Sequence, residues 1–429
     1  MIKFISCNNH FGIIKALKLK KGNFCSFAVC SRLLTGPFAL IAVFSFLVSC
    51  KKGNNSTPVQ ADPQISVNDV SLVEGNGGTT NFEFIITLDK ASSKQVSVNF
   101  STQEGTAKNG EDYTTVNTQV SLQPNEIEKK VVVPVVADDL KEGDDIFTVK
   151  IENPVNATIS KQTGTGTIKN DDTKVPFTNA GYDAPTSYAG YTLAWSDEFN
   201  GASLDAGIWT FENGDGCPNL CGWGNNELEY YTNRPDNLFF QDGKMIIEAK
   251  SESLGGKQYT STRIKTESKK TFKYGRIDIR AKLPKGKGIW PALWMLPQNN
   301  VYGGWPRSGE IDIMELVGHE PGRIYSTVHY GPGPGSIQIS RNYSLAAGNF
   351  NDEFHVFSLE WKQDQMKFYV DGNLFSTVNS TDVGTNTYPF NEQFFFVVNL
   401  AVGGNWPGAP DATTYFPQWL IVDYIRVYQ

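Results

Sequence analysis

Beyond residue 63, apolar and polar residues alternate along the chain over short stretches, which is the period-2 pattern of β-strands. Between Arg276 and Leu283, four apolar side chains would face one way (Ile277, Ile279, Ala281 and Leu283) and four polar ones the other (Arg276, Asp278, Arg280 and Lys282). Asp371-Gly372 separates two further stretches and is a two-residue hairpin signal. Because helical periodicity is nearly absent, the pattern predicts an all-β protein built of sandwiches.

Changes in this pattern divide the chain into segments. Short strands with turn residues between them fill residues 64–172, as in 82–88, 96–100 and 130–136, and their regular spacing predicts a β-sandwich. Residues 173–190 contain Pro, Gly and Ser and are predicted to be a linker. A second all-β domain is predicted for residues 191–429.

The first 50 residues have the pattern of a targeting segment. Basic residues precede an apolar stretch from Phe38 to Val48, which is too short to span a bilayer as a helix. The stretch ends in Leu47-Val48-Ser49-Cys50, which resembles a bacterial lipobox and implies cleavage before Cys50 and lipidation of its thiol. An ordinary secretory peptide or a short anchor is the alternative. Residues 51–63 are a polar tether.

Charge and composition restrict the expected binding partners and cellular location of the protein. The net charge is −7, and only the leader is basic, so nucleic-acid binding is not expected. No segment after the leader is apolar enough to cross a membrane, so we expect membrane contact through lipid alone. The expected location is the outer membrane or cell surface of a Gram-negative bacterium, with secretion as the alternative. We expect a monomer.

Two of the six cysteines remain after the leader and Cys50 are set aside. Cys217 and Cys221 lie four residues apart in a loop of Gly, Pro and Asn. A local disulfide is predicted, because an exported protein meets an oxidising compartment. Zinc is the weaker alternative, since it needs four ligands and no second Cys/His pair is near in the sequence.

The stretch with the most chemistry is Gly309-Glu310-Ile311-Asp312-Ile313-Met314-Glu315, three acids inside a predicted buried strand. In a regular strand Glu310 and Asp312 share a face, whereas Glu315 lies on the other. A β-bulge at Met314 would return Glu315 to the shared face. Aligned carboxyls share protons, which gives one ionised and one protonated acid at neutral pH. The alternatives are an exposed acidic edge or a structural acid network.

Tryptophans beside these acids favour a carbohydrate site. Trp290, Trp294 and Trp305 lie within about twenty residues upstream, and half-exposed indoles are surfaces on which sugar rings stack. Two carboxyls flanked by aromatic rings are typical of glycoside hydrolysis. The sequence therefore predicts a nucleophile and an acid/base in a sugar-binding cleft.

The motifs of residues 191–429 resemble glycoside hydrolase family 16, specifically its bacterial laminarinases. The resemblance rests on the acid motif, on 288–297 before it, and on matches in the same order along the domain (195–199, 224–231, 274–276, 327–330, 399–404 and 422–428). It implies two stacked antiparallel sheets, a concanavalin A-like β-jelly roll, with one face curved into a cleft. Every catalytic match lies beyond residue 190, so residues 191–429 are expected to suffice for the chemistry.

The resemblance also implies roles for individual residues. Glu310 would be the nucleophile, Glu315 the general acid/base, and Asp312 the residue that tunes their protonation or merely holds the bulge. His329 would lie in the cleft near the acid/base, with a core histidine as the alternative. Trp290, Trp294 and Trp305 would contact substrate, and Asn226 and Arg263 would hydrogen-bond sugar hydroxyls. Arg263 follows Ser261-Thr262 where the family often has Ser-Gly, which makes this match weaker.

No cofactor is implied for catalysis, but calcium is implied as a structural ion. The resemblance places it on Asp423 and on the backbone carbonyls of Glu198 and Gly243, with a solvent-facing Asp423 as the alternative. Residues 64–172 resemble the Calx-beta domain in 105–107, 137–139, 142–144 and 166–172. Six acids there are either Ca²⁺ ligands or solvated turn residues (Glu74, Asp112, Asp138, Asp139, Asp171 and Asp172). A spacer or adhesion role is predicted for this domain.

Four functions are compatible with these motifs, and endo-hydrolysis of β-1,3-glucan leads. Agarase- or carrageenase-type hydrolysis of a galactan is possible on the same fold, although the net acidic domain disfavours sulfated substrates. Some relatives have lost the acids and only bind glucan, but all three acids are present here. A transglycosylase would share the covalent intermediate and differ only in the acceptor.

Overall fold

The computed structural model describes residues 61–429 and, within the leader, the backbone of three short strands, β1 (Lys15–Lys18), β2 (Phe24–Phe27) and β3 (Val48–Cys50). The rest of the predicted signal peptide, the side chain of Cys50 and most of the polar tether lie outside the described residues. In the described part the only helices are two 3₁₀ turns, Cys221–Gly224 and Ser380–Val383. The all-β prediction is therefore confirmed for this part. None of its helices is long and apolar enough for a membrane span.

The first domain is a sandwich of two sheets. One sheet has five strands in the order β5-β12-β10-β7-β8 and the other has four in the order β11-β4-β6-β9. Alternate residues of β6 are buried, so Phe82 and Phe84 meet Phe100 and Phe147 between the sheets. The strand bounds are β4 (Gln64–Val67), β5 (Val70–Val73), β6 (Gly78–Leu88), β7 (Val96–Glu104), β8 (Asn117–Leu122), β9 (Glu128–Ala137), β10 (Asp145–Val155), β11 (Thr158–Lys161) and β12 (Thr163–Lys169).

The second domain is a larger sandwich whose strands begin at Leu193. Their bounds are β13 (Leu193–Asp197), β14 (Thr210–Glu212), β15 (Glu229–Tyr231), β16 (Leu238–Gln241), β17 (Lys244–Leu254), β18 (Lys257–Ser261), β19 (Arg263–Lys265), β20 (Gly275–Lys282), β21 (Ile289–Pro297), β22 (Glu310–Glu315), β23 (Arg323–Tyr330), β24 (Ile337–Ser344), β25 (His355–Lys362), β26 (Gln365–Val370), β27 (Asn373–Asn379), β28 (Phe394–Val402) and β29 (Gln418–Tyr428).

These strands form two sheets packed face to face. The outer sheet runs β15-β18-β17-β29-β20-β25-β26-β27, with β13 and β16 at its margin, and the inner sheet runs β14-β19-β28-β21-β22-β23-β24. The predicted apolar face of β20 is buried between the sheets, as expected, and Asp371-Gly372 joins β26 to β27. Strand β22, which carries the acids, lies inside the inner sheet between β21 and β23.

The predicted linker, residues 173–190, is not a free spacer but a strap across the outer sheet. Val175 is buried in an apolar cluster with Ile246, Phe354 and Ile421. Farther along the strap, the Tyr188 hydroxyl donates to Asp278 Oδ2 across 2.7 Å. This contact explains why the outward face of β20 is covered rather than solvent-exposed. The linker prediction is corrected because the apolar residues of this segment find a surface to cover.

The strap also joins the two domains. Backbone N–H of Lys141 in the first domain donates to the Lys174 carbonyl across 2.7 Å. The Lys141 ammonium lies 2.6 Å from Oε2 of Glu248, whose side chain is only 1% exposed. Trp419 donates to the same oxygen from the second domain. A buried ion pair thus lies in the contact between the sandwiches.

Candidate active site

A bulge in β22 brings the three acids to one face. Asp312 pairs with Trp294 on β21 and Thr327 on β23, whereas Glu315 pairs with Ala292 and Tyr325. The path from Asp312 to Glu315 therefore spans three residues on β22 but two on each neighbouring strand. This register confirms the predicted bulge. The extra residue lies in the Ile313–Met314 step, and both of these side chains turn into the core.

As a result of the bulge, Glu310, Asp312 and Glu315 all line one cleft of about 880 Å³ on the inner sheet. Burial and then the charge of Asp312 raise the pKa of Glu310 to about 8. Burial, followed by the charges of Asp312 and Glu310, holds the pKa of Glu315 well above its usual range. Burial raises the pKa of Asp312 as well. The three carboxyls cannot all be ionised, and the cleft holds shared protons at neutral pH.

Indole donors hold the two outer acids. Trp305 Nε1 donates to Glu310 Oε2 across 2.9 Å, and Trp290 Nε1 donates to Glu315 Oε1 across 3.1 Å. A donor that faces a carboxylate oxygen fixes the position of that oxygen and favours the ionised form. Two of the three predicted tryptophans are therefore direct hydrogen-bond partners of the outer acids of β22.

His329 lies in the cleft, as predicted, and is not a core histidine. Its Nε2 is 3.3 Å from Asp312 Oδ2 and 3.7 Å from Glu310 Oε1, so it contacts the Glu310 end of the acid motif, whereas the prediction placed it near Glu315. Its Nδ1 is 3.0 Å from the Ser336 hydroxyl. The correction follows from β23 running antiparallel to β22, which pairs His329 with Glu310 and Tyr325 with Glu315.

Arg263 is buried in the wall of the cleft. Its Nε lies 2.5 Å from Glu212 Oε2, and its guanidinium covers the rings of Trp223 and Trp294 at 4.6 and 4.9 Å. Trp294 donates to Asn399 Oδ1 across 2.7 Å. The structure therefore places Arg263 against aromatic side chains, where it supports a stacking surface and also lines the cleft.

Asn226 lies outside the lining of the cleft. Its side chain is exposed and donates to Asn405 Oδ1 across 2.8 Å. A φ of 58° at Asn226 turns the chain, so its neighbour Asn225 lines the cleft instead. The sugar contact predicted for Asn226 has no support in this geometry.

The implied calcium site of the second domain does not fit the contacts of its carboxylate. Asp423 Oδ1 lies 3.0 Å from Lys244 Nζ, and Oδ2 lies 2.6 Å from Arg280 Nη1. The side chain of Glu198 pairs with Arg426 through both oxygens. Two cations already neutralise Asp423, so the predicted set of Asp423, Glu198 and Gly243 does not suit a divalent cation.

Cys217 and Cys221 form a disulfide that closes a loop at the rim of the cleft. Leu220 and Trp223 of this loop line the cleft. The crosslink therefore fixes one wall of the site and is not remote from it.

The cleft residues that sequence reasoning missed include Trp223, Tyr325, Asn399 and Trp406. Trp406 packs edge-on against Trp290 at 5.6 Å and against Tyr325 at 5.0 Å, which forms an aromatic group beside Glu315. The Gly-Gly-Asn-Trp-Pro-Gly stretch, 403–408, contained a signal for Trp406. Tyr325 could be found only from its register with Glu315.

Comparison with known proteins agrees with this geometry. Residues 226–419 match the family Glycosyl hydrolases family 16, and residues 61–172 match the Calx-beta domain. The catalytic domain of the laminarinase from Thermotoga maritima MSB8 superposes with a TM-score of 0.53 and 46% identity, over 56% of this chain and 98% of that one.

Two relatives each match 56% of this chain. Glucan endo-1,3-beta-glucosidase A1 of Niallia circulans is 44% identical over 261 residues, which cover 56% of this chain but 38% of that protein. Beta-glucanase of Rhodothermus marinus is 39% identical over 252 residues, which cover 56% of this chain and 85% of that protein. The first domain is a Calx-beta domain, and through the second the chain belongs to family 16 of the glycosyl hydrolases.

Proposed function

We propose that this protein is an endo-hydrolase of the β-1,3-glucosidic bonds of laminarin-type glucans and that it retains the anomeric configuration. The observation that carries the proposal is the bulged strand β22, which aligns Glu310, Asp312 and Glu315 in one aromatic-lined cleft. The relatives named above for glucanase and laminarinase activities support the choice of glucan over galactan. Side chains from the strands on both sides of β22 line the cleft. A cleft of this kind suits cleavage at internal bonds of a polysaccharide chain.

In the proposed first step, Glu310 attacks the anomeric carbon while Glu315 gives its proton to the leaving oxygen. Trp305 keeps Glu310 oriented as an acceptor, and the raised pKa of Glu315 keeps it protonated until then. In the second step Glu315 takes a proton from water, which displaces Glu310 from the glycosyl ester. Because the pKa of Glu310 is raised to about 8, this acid is mostly protonated at neutral pH, and its proton passes to the neighbouring Asp312 before the attack.

The proximity of the acids favours retention. An inverting enzyme keeps its carboxyls ~6.5 to 9.5 Å apart to admit a water, whereas a retaining enzyme keeps them ~5 to 5.5 Å apart. Here Glu310, Asp312 and Glu315 are brought to one face of a single strand, and the charge of Glu310 acts on the pKa of Glu315. This alignment supports a retaining mechanism.

A product profile of the purified full chain tests the substrate class. Laminarin, mixed-linkage β-glucan, agarose and carrageenan would be digested in parallel and the oligosaccharides separated by chromatography. We expect laminarin to be cleaved fastest, with short oligosaccharides of several lengths from the start. Equal or faster cleavage of agarose would reject the β-1,3-glucan assignment, and products longer than the donor would identify a transglycosylase.

We also propose that the mature protein is a lipoprotein attached through Cys50 to the outer membrane or cell surface, where it acts as a monomer on soluble glucan. The proposal rests on the lipobox-like stretch 47–50 after an apolar segment. Mass spectrometry of the N-terminal peptide from membranes should find acyl groups on Cys50. Release of Cys50→Ala into the medium is expected, and membrane retention of this variant would indicate an anchor of another kind.

For the Calx-beta domain we propose a Ca²⁺ site. Carboxylate oxygens of Asp112, Glu142 and Asp145 lie within 4.8 Å of one another and suit a hard cation. Burial, and then the charges of Asp112 and Asp138, raise the pKa of Glu142 to about 7. Of the acids predicted from sequence, Asp139 instead forms an exposed pair with Lys174. Calcium should raise the melting temperature of the chain, and Asp112→Asn should remove this increase.

A further inference from the structure

A directed chain of hydrogen bonds runs along the wall of the cleft from Trp294 to Glu227, and a second acid, Glu229, lies two residues farther on. Trp294 Nε1 donates to Asn399 Oδ1 across 2.7 Å, and Asn399 Nδ2 donates to the Tyr231 oxygen across 3.1 Å. The Tyr231 hydroxyl in turn donates to Glu227 Oε2 across 3.0 Å. An indole nitrogen can only donate, so it fixes the direction of every bond in the chain.

The direction of the chain requires Glu227 to be an acceptor. Its other oxygen, Oε1, accepts from Asn225 Nδ2 across 3.3 Å. Both oxygens of Glu227 thus face donors, which is the arrangement of an ionised carboxylate. Glu227 is 4% exposed and also lines the cleft.

Glu229, two residues farther on, is fully buried beside it. Its Oε2 accepts from the backbone N–H of Val402 across 2.6 Å. Its Oε1 is buried and has no hydrogen-bond donor in the described part of the chain. A buried carboxylate oxygen without a donor costs free energy, and a proton on Oε1 removes that cost and gives Glu229 a donor for Glu227.

We infer that Glu227 and Glu229 share one proton and act together as positioning residues that hold the Trp294 side of the glucan cleft. The inference rests on the proposed function for the identity of the substrate only. The pair is not part of the bond-breaking chemistry, because β22 carries its own three acids. Its effect on catalysis would pass through Tyr231, Asn399 and Trp294 to the binding of the sugar ring.

Two basic side chains near the pair, Arg263 and Lys257, also contact acids of their own. Arg263 lies on the same wall and pairs with Glu212, which pairs with Lys265 as well. Lys257 Nζ donates to the backbone carbonyl of Glu227 at 3.1 Å and lies 4.0 Å from Asp215. Burial, and then the charge of Glu227, raise the pKa of Glu229 well above its usual range. Ionisation of Glu229 in alkaline solution would place two neighbouring negative charges, those of Glu227 and Glu229, at the wall of the cleft.

Substitutions at Glu229 separate positioning from chemistry. Glu229→Leu removes the donor to Glu227 and should raise KM for laminarin oligosaccharides by about tenfold with a smaller change in kcat, as expected for a lost buried bond to a charged group. Glu229→Gln keeps both a donor for Glu227 and an acceptor for Val402, so it should recover most of the lost affinity. Ionisation of Glu229 in alkaline solution should raise the KM of wild type, and Glu229→Gln should not show this rise, since an amide does not ionise.

Infrared difference spectra test the shared proton without any substrate. Wild type minus Glu229→Gln at pH 7 should show the carbonyl band of a protonated carboxylic acid. A carboxylate band in its place would overturn the assignment of the proton. The infrared result does not depend on activity, so it remains valid if laminarin is not the substrate. Failure of the proposed function would be seen separately, because wild type itself would then be inactive on laminarin.

Tyr231→Phe breaks the same chain by one hydroxyl and serves where Glu229→Leu does not fold. It should raise KM several-fold and leave the infrared band in place. An unchanged KM in Tyr231→Phe would overturn the positioning role. So would a Glu229→Leu variant whose kcat falls as much as its KM rises, if Glu229→Gln does not recover either value. Thermal unfolding of each variant shows that the folded chain is being measured.

Discussion

Nε1 of Trp305 lies 2.9 Å from Oε2 of Glu310, although the indole is 55% exposed and the acid faces the cleft. The same relationship recurs between Trp290 and Glu315 at the other end of the acid motif. Each outer acid of β22 is therefore held by a tryptophan from β21 or from the loop after it. Asp312 has no such indole, and its Oδ2 instead faces His329 Nε2 at 3.3 Å.

Replacing the nucleophile should separate the two chemical steps. Glu310→Ser is expected to abolish hydrolysis, yet to couple an α-glycosyl fluoride to an acceptor, because the fluoride imitates the glycosyl ester and Glu315 remains as base. Chromatography of the coupling products provides the measurement. Proton NMR of fresh wild-type digests is the control, where the β-anomer must appear first. An α-anomer appearing first would refute the double displacement.

The acid/base should be replaceable by an external nucleophile. Glu315→Ala is expected to lose most activity on laminarin but to regain it with azide on a substrate with a good leaving group, giving a β-glycosyl azide. The azide enters because the intermediate on Glu310 still forms and no carboxylate repels the anion. Rescue of Glu310→Ala to the same β-product would reverse the two assignments.

The stability of the catalytic domain should depend on the protonation of Glu310. Its pKa is raised from 4.5 to about 8 on folding, so the folded state binds the proton more tightly than the unfolded state. The stability from this group is complete below about pH 4.5 and is lost as pH rises through about 8. Glu310→Gln does not ionise, so its advantage in melting temperature over wild type should grow across this range.

At pH 8 we expect that advantage to reach at least ~2 to 4 °C, which corresponds to about 1 kcal/mol in a domain of this size. Scanning calorimetry at several pH values measures it. Glu353→Gln makes the same change of charge at an exposed position and should show no such trend. A constant difference between pH 5 and 8 would contradict the raised pKa of Glu310.

How far the sequence determines the site can be judged from these residues. The local sequence pattern was sufficient to predict the bulge, because Glu310, Asp312 and Glu315 can share a face of one strand only if a residue is inserted between Asp312 and Glu315. It failed for His329, whose neighbours depend on the register between β22 and β23. It also failed for Asp423, because the two cations that neutralise it come from Lys244 and Arg280, distant in sequence.

Removing the strap should destabilise the catalytic domain. A fragment of residues 173–429 keeps Val175 in its apolar cluster, whereas a fragment of 191–429 uncovers Ile246, Phe354 and Ile421. Burial of a valine side chain alone stabilises by about 1.5 to 3 kcal/mol. The shorter fragment should therefore melt several degrees lower in calorimetry, with more aggregation. Equal melting temperatures would show that the strap contributes nothing to the fold.

Docking of the two sandwiches should depend on the buried pair of Lys141 and Glu248. Lys141→Met leaves Glu248 without its ammonium partner, a change that costs about 3 to 5 kcal/mol in a buried pair unless the contact opens to water. Small-angle scattering should then report a larger radius of gyration. Lys174→Met breaks an exposed pair with Asp139 and is the matched control. Identical scattering from the two variants would show that Lys141 does not hold the contact.

The strap also limits where the catalytic domain can be joined to other domains during evolution. The match to the hydrolase family begins at residue 226, yet the covering of the outer sheet begins near Val175. A recombination event that joined a new module directly to residue 191 would transfer every catalytic residue and leave an apolar surface open to water. Successful gene fusions of this hydrolase would therefore be expected to carry the strap with the enzyme, whatever module precedes it.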